Sequence, residues 1–514
     1  MNPIFDLDFD ALFPPASLEF ILSGPTPDKA EVNVLFARQE GYLPQAEAAE
    51  NTPNFQDILA AGFTGEVGQV KVVGHQGSTY FVVGAGSKNL TAASLRKITG
   101  SIVRRAAPER VRSINILFEP ELHTRQDVAK ILRPLMVGAA IGSYTFSLKH
   151  KAPKPALRTI RFVGADINKA DFNHLNQRVQ AEVRGMALYR NLVNLPSNLL
   201  GPKEFALIMK NLTKTSSKFK IRFIEGEALQ KEGYNLLWAV GKSNPKNPPI
   251  MAILEYNGDK RNNDWDVGLV GKGVTFDSGG NNMKVDAGMR LMKMDMGGAG
   301  CVLGLMATAA EEEWPINMVA IIGLADNLVS STAMRPGDVF TTKNGTTVEI
   351  ENTDAEGRLV MADCMLKIAD YKPKMVMDIA TLTGASRVAL GFEDAALITT
   401  SDQIAERLSK LDEQIHDGIW RLPLRKSYKD LLHSAVADTR NSSATPAAGV
   451  GTAAYFLSHF VPEDSDWAHI DMSNVAKGGP DGTGHIMGGT SHMAMATGRP
   501  FIVLTTFLRK YYAH

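Results

Sequence analysis

From Phe219 onward the chain alternates short apolar runs with helix-period segments, and this alternation constrains the fold more than any other feature. Segments 219–224, 249–256, 267–270, 318–325 and 375–381 read as strands. Segments 297–313 and 359–371 read as helices between them. Such alternation predicts an α/β fold with a largely parallel sheet covered on both faces. Ligands of these sheets sit on the loops at the carboxyl ends of the strands.

The chain has 514 residues, too many for one compact core. Residues up to about Phe172 read as a smaller α/β domain, with strands at 31–36 and 113–118 and a helix over 92–106. A helix over about 173–192 follows, with Leu175, Val179, Val183 and Met186 at spacings of four, four and three. It stops near Pro196. The expected division is therefore an N-terminal α/β domain over 1–172 and a larger C-terminal α/β domain over 173–514. The second domain is expected to hold a mostly parallel, mixed sheet flanked by helices.

Formal net charge is zero, so global charge does not favour a nucleic-acid or membrane partner. One basic run (Lys88, Arg96, Lys97, Arg104, Arg105, Arg110, Arg112) reads as a solvated helix face and keeps a DNA-binding alternative open. Two cysteines, Cys301 and Cys364, fit a reducing compartment better than a disulfide framework. The acidic start, Met1 to Asp8, lacks the pattern of a secretory signal. No apolar run is long enough to span a bilayer; the stretch 136–146 is short and glycine-rich. A cytoplasmic protein is the expectation.

Three charged segments fall at strand ends or helix starts. The first runs from Gly271 to Gly280 and carries Lys272 and Asp277, with Lys284 just beyond. The second is Met292 to Gly298, with Asp295. The third is Asn352-Thr353-Asp354-Ala355-Glu356-Gly357-Arg358-Leu359. If that segment is extended, Asp354, Glu356 and Arg358 point to one side. Any one segment alone is more often a loop whose acid caps a helix than a metal site. If Asp277, Asp295, Asp354 and Glu356 converge, their mutual repulsion calls for cations or protons. Two divalent ions balance four carboxylates. Oxygen donors without nearby histidine suit Mn²⁺, Mg²⁺ or Zn²⁺ about 3.5 Å apart. Lys272, set between two glycines that let the backbone bend, can be a solvated cation or a neutral ligand. Lys284 can stabilise an oxyanion, and Arg358 offers a fork for a carboxylate or carbonate.

Together these segments resemble the leucyl aminopeptidase family, the M17 peptidases. The octapeptide 352–359 is the most specific of the motifs. The likeness extends over the second domain, through Arg190 to Pro196, Asp378 to Ala385 and His469-Ile470-Asp471. The first domain fits by size and class only. The resemblance implies a metal-dependent aminopeptidase that releases apolar N-terminal residues such as leucine. Lys272, Asp277, Asp295 and Glu356 would hold one metal ion, Mn²⁺ or Zn²⁺. Asp277, Asp354 and Glu356 would hold a second. Lys284 would polarise the scissile carbonyl, and Arg358 would hold a bicarbonate. Met292, Thr381 and Leu382 would line the pocket or contact the peptide backbone. A homohexamer is implied, as are peptide substrates.

Some residues depart from the family pattern. Val285 stands where proline is frequent, Asn281-Asn282-Met283 replaces a more apolar approach to Lys284, and Gly300-Cys301 replaces small alanines. The methionines at 283, 289, 292, 294 and 296 read as adaptable packing around a site. His485 and His492, in a glycine-rich stretch, read as loop residues.

Overall fold

The computed structural model describes residues 9–14, 17–25, 30–47, 51–87, 90–122, 127–150, 156–285, 287–478 and 495–513. Met1 to Asp8, Lys88, His485, His492 and most of the 149–155 loop lie outside the described residues.

Six strands build the first sheet: β1 (Glu19–Ser23), β2 (Val32–Ala37), β3 (Val70–His75), β4 (Ser78–Gly84), β5 (Ser113–Leu117) and β6 (Thr159–Val163). Their order is β1-β6-β5-β2-β4-β3, parallel except for the β3–β4 pair. The helix over 92–106 is found as Ala92–Ala106, with Thr91 Oγ1 accepting from Ser94 N at its start. It is not a wholly solvated basic face. Arg96 is buried, and its Nη2 donates to the carbonyl of His416 at 2.8 Å. The second domain meets the helix at Arg96 while Lys97 stays exposed, a division that the spacing of charges alone could not reveal.

The expected linker helix is longer than the apolar spacing indicated, running Lys169–Asn194 with Asn168 as its cap. Beyond it come β7 (Phe219–Glu225), β8 (Ile250–Asn257), β9 (Val267–Asp277) and β10 (Asn317–Asn327). Then follow β11 (Val339–Thr341), β12 (Thr347–Glu349), β13 (Met375–Ala380), β14 (Ala395–Thr399), β15 (Ile419–Arg421), β16 (Thr439–Arg440) and β17 (Asp466–Asp471). Eight of them form one mixed sheet in the order β15-β14-β17-β13-β9-β10-β8-β7. The short strands β11, β12 and β16 pair separately.

The four central strands β17, β13, β9 and β10 are mutually parallel, so their carboxyl ends share one edge. Apolar layers cover both faces. Helices Lys169–Asn194, Gly297–Glu311 and Phe501–Tyr511 pack on one side. Helices Asn235–Gly241, Gly357–Ile368 and Gly449–Ser458 pack on the other. This is why β10 is buried along its whole length. Cys301 and Cys364 are buried and unpaired with each other. Among the described residues, no helix is long and apolar enough to cross a membrane.

The strand expected over 267–270 continues to Asp277, which changes the setting of Lys272. Its flanking glycines are not a flexible bend. A Cβ on Gly271 would lie 2.8 Å from Ala299 Cα, and one on Gly273 would lie 2.5 Å from the Gly323 carbonyl oxygen. Glycine is needed there for close approach of helix and strand. Lys272 shares the opposite face with Val270 and Val274, toward helix Gly357–Ile368.

Candidate active site

The carboxyl edge of the central strands gathers the charged residues. Asp277 ends β9, Asp295 follows the tight turn Ala287–Met294, and Thr381 follows β13. Asp354 and Glu356 lie just before helix Gly357–Ile368. The 352–358 segment is not extended. It is a turn entering a helix, with Glu356 already at helical φ −75 and ψ −34. The two acids converge because the turn folds back, not because alternate residues share a face.

Asp277 and Asp295 each turn one oxygen outward to neutral donors. Asp277 Oδ1 accepts from Gly279 N and Asn327 Nδ2, both at 2.8 Å. Asp295 Oδ1 accepts from Thr381 Oγ1 at 2.8 Å. The inward oxygens meet ammonium groups. Asp277 Oδ2 and Asp354 Oδ1 lie 2.8 and 2.5 Å from Lys284 Nζ. Asp295 Oδ2 and Glu356 Oε1 lie 2.8 and 2.9 Å from Lys272 Nζ, which also donates to the Thr381 carbonyl at 2.9 Å. Among the described residues Asp295 Oδ2, Asp354 Oδ1 and Glu356 Oε1 make no well-aligned hydrogen bond. The lysines are close to these oxygens but poorly aimed for them. One oxygen each of Asp277, Asp354 and Glu356 lies within 4.8 Å of the others. Asp295 joins this trio through Lys272.

The electrostatics have one sign. Burial pushes the Asp295 carboxyl well above the usual range, with Lys272 opposing and Glu356 and Asp277 adding. Burial, then Asp277 and Glu356, push Asp354 up to about 7. Burial pulls both lysines down, but their acidic neighbours outweigh it and both end above the ordinary lysine value. Upward shifts of Asp295, Asp354 and both lysines together mark an excess of negative charge in a buried site. Divalent cations relieve such an excess, and the inward-facing, poorly satisfied oxygens fit them.

Arg358, in the first turn of its helix, is 7% exposed. Burial lowers its guanidinium to about 10, with Glu356 and Asp471 opposing. Its Nη1 donates to the Asn441 carbonyl at 2.8 Å, and among the described residues its Nε has no hydrogen-bond partner. Thr381 is buried in the wall of the site. Met292 is half-buried in the turn leading to Asp295. Leu382 is half-buried and packs on the apolar layer beneath.

Several residues outside the expected ligand and substrate-contact set hold this arrangement. Asn441 Nδ2 donates to the carbonyls of Asn352 and Ala355, and its Oδ1 accepts from Glu351 N. Thr353 Oγ1 donates to the Gly279 carbonyl and accepts from Asn282 N, while Thr353 N donates to Asn282 Oδ1. Asn281 Nδ2 donates to the Met334 carbonyl. The polar approach to Lys284 therefore supplies struts between the two loops. Gly280, at φ +63, leaves no room for a side chain: a Cβ would lie 2.8 Å from Asn327 Oδ1. Asn327 and Asp471 did carry a signal, as polar residues ending otherwise apolar strands at the ligand-binding edge. Asn441 carried none.

Sheet, edge and acid cluster together define a two-domain α/β protein with a carboxylate centre fit for cations. The catalytic-domain profile of the cytosol aminopeptidase family matches residues 187–505, and the N-terminal-domain profile of that family matches 56–151. A probable cytosol aminopeptidase of Phytoplasma mali is 36% identical over 435 residues, covering 82% of this chain and 85% of that protein. A solved tomato leucine aminopeptidase mutant is 26% identical with a TM-score of 0.83, covering 96% of this chain and 97% of its own. The bottromycin maturation enzyme BotP, solved in complex with Mn, is 30% identical with a TM-score of 0.80, covering 94% and 99%. The chain belongs to the cytosol aminopeptidase family and is a two-domain peptidase.

Proposed function

We propose that this chain is a metal-dependent aminopeptidase that removes apolar N-terminal residues, leucine among them, from peptides. The observation that carries the reading is the convergence of Lys272, Asp277, Asp354 and Glu356, with Asp295 joined through Lys272. Lys272, Asp277, Asp295 and Glu356 would hold one divalent ion, and Asp277, Asp354 and Glu356 a second. Mn²⁺ is favoured over Zn²⁺ by the Mn complex of BotP. When bound, such ions supply an activated water and a Lewis acid for peptide hydrolysis.

The chain's own residues supply the rest. Lys284, whose ammonium lies beside Asp277 and Asp354, would stabilise the developing oxyanion. Arg358, buried and with one donor unspent, suits a small planar anion such as bicarbonate, which can take up a proton. Thr381 and Leu382 would meet the peptide backbone, and Met292 the first side chain. We place the domain division near 172/173, in the first turn of the long linker helix Lys169–Asn194, and expect a cytoplasmic homohexamer. No observation favours the DNA-binding alternative, and the burial of Arg96 weakens its basic face.

The test is hydrolysis of leucine amide before and after chelation, with Mn²⁺, Zn²⁺ or Co²⁺ restored. Activity should vanish and return, and an N-acetylated peptide should resist. Failure to cleave with any of these metals overturns the reading.

A further inference from the structure

Asp471 ends β17 opposite Ala380 of β13 and is fully buried. Its partners are drawn from the next segment of the site wall. Its Oδ1 accepts from Leu382 N at 3.2 Å, and its Oδ2 accepts from Thr383 Oγ1 at 2.6 Å. Ser473 adds its N at 3.2 Å and its Oγ at 3.0 Å, both to Oδ1. Ser473 Oγ also meets the Thr383 carbonyl, to which Ser386 Oγ donates at 2.9 Å. Thr383 is thus held at both its side chain and its carbonyl.

Two residues earlier, Thr381 touches the charged centre twice. Its carbonyl accepts from Lys272 Nζ at 2.9 Å, and its hydroxyl donates to Asp295 Oδ1 at 2.8 Å. On the other side, Asp471 is one of the two anions that act on the buried guanidinium of Arg358. A buried carboxylate is tolerated only with hydrogen-bond partners, and here they come from Leu382, Thr383 and Ser473.

We propose that Asp471 is a positioning residue for the reaction. It fixes the 381–383 segment so that Thr381 aims Lys272 and Asp295, and it balances Arg358. This rests on the aminopeptidase reading above. Asp471 touches neither substrate nor reacting atoms; it acts through Thr381 and Arg358.

The test uses full-length protein loaded with Mn²⁺ and leucine amide as substrate, comparing Thr383→Val, Asp471→Asn and Asp471→Ala. Thr383→Val removes one hydroxyl donor with little change of shape. It should lower kcat about tenfold with KM and bound Mn²⁺ unchanged, the scale of one hydrogen bond to a charged group. Asp471→Ala should lower kcat about a hundredfold or more. Asp471→Asn should recover part of that loss, because its amide oxygen still accepts from Leu382 N while the charge beside Arg358 is gone. If Asp471→Ala does not fold, Thr383→Val decides the matter. Variants that melt earlier yet keep full kcat per folded molecule overturn the proposal, as does a loss that merely tracks metal content. Inactivity of the unmodified protein with every metal instead refutes the aminopeptidase reading.

Discussion

Replacing Gly357 by alanine isolates the placement of Lys272. Gly357 opens helix Gly357–Ile368 and packs against the lysine. An added Cβ would lie 2.4 Å from Lys272 Cε, 2.8 Å from Cδ and 2.6 Å from Nζ. Carbon contacts settle near 3.5–4.0 Å, so the lysine tip must retreat by about 1 Å. It has little room, being 3% exposed, and Nζ is held by Asp295, Glu356 and the Thr381 carbonyl at 2.8 to 2.9 Å. Hydrogen bonds to charged groups contribute roughly 1.5–3 kcal/mol each. Losing the one aligned bond, to the Thr381 carbonyl, and loosening the two close charge contacts costs about 3 kcal/mol, localised in the site. Against this, alanine is better than glycine in a helix by up to about 1 kcal/mol. Global stability should therefore fall by only about 2 kcal/mol. Activity should fall further, with kcat/KM for leucine amide down about a hundredfold. The control is Gly384→Ala, where φ is −65 and a Cβ meets nothing within 4 Å; it should leave urea melts and kinetics alone. Leucine-amide kinetics across a Mn²⁺ titration, with urea melts of both variants, make the measurement. If Gly357→Ala keeps normal kcat/KM and normal metal dependence, the site does not depend on where Lys272 sits.

Lys284→Ala should cut turnover by about two orders of magnitude, the scale of a lost oxyanion donor, while metal content measured by elemental analysis stays nearly constant. Equal loss of metal would make Lys284 structural. Glu356→Ala should instead lose metal, since one of its oxygens belongs to the trio of acids and its Oε1 lies beside Lys272; retention of two ions per chain would contradict its assignment. Asp363 predicts a pH effect on stability away from the site. It is fully buried beneath helix Asn235–Gly241, accepts from Leu237 N at 2.8 Å, and is pushed by burial from 3.8 to about 7. The folded state thus binds a proton more tightly than the unfolded chain, so this carboxyl's contribution is full below about pH 4 and is lost as pH rises through about 7. Asp363→Asn should flatten that loss, giving a protein more stable than its parent at about pH 8.5 and little changed at about pH 4 in urea melts; parallel pH profiles for the two would refute the assignment.

Much of the molecule was legible in the chain itself. The alternation beyond Phe219 announces an α/β sheet because strand and helix periods are local properties, written every two or every 3.6 residues. The same locality exposes Asp277, Asp295 and the 352–359 octapeptide as charges at element ends, where a parallel sheet binds ligands. Locality also misleads. A period of two aligned Asp354, Glu356 and Arg358 on paper, yet the helix that opens at Gly357 means a fold-back turn brings the acids together. The glycines beside Lys272 suggested freedom, and they serve close packing instead.

Tertiary structure alone decided which oxygen of each acid turns inward, because that depends on donors far away in sequence. Asn327 orients Asp277, and Thr381 orients Asp295. Asn441 braces the octapeptide loop and its approach from 86 to 90 residues away, and Asp471 braces Thr383 from 88 residues away. Arg96 leaves solvent only because the second domain lies over it. Such pairings follow from strand order and register, which bring the ends of β17, β13, β9 and β10 to one edge. A hydrogen bond acts over about 3 Å of space whatever the length of chain between its partners, so no window of sequence contains it.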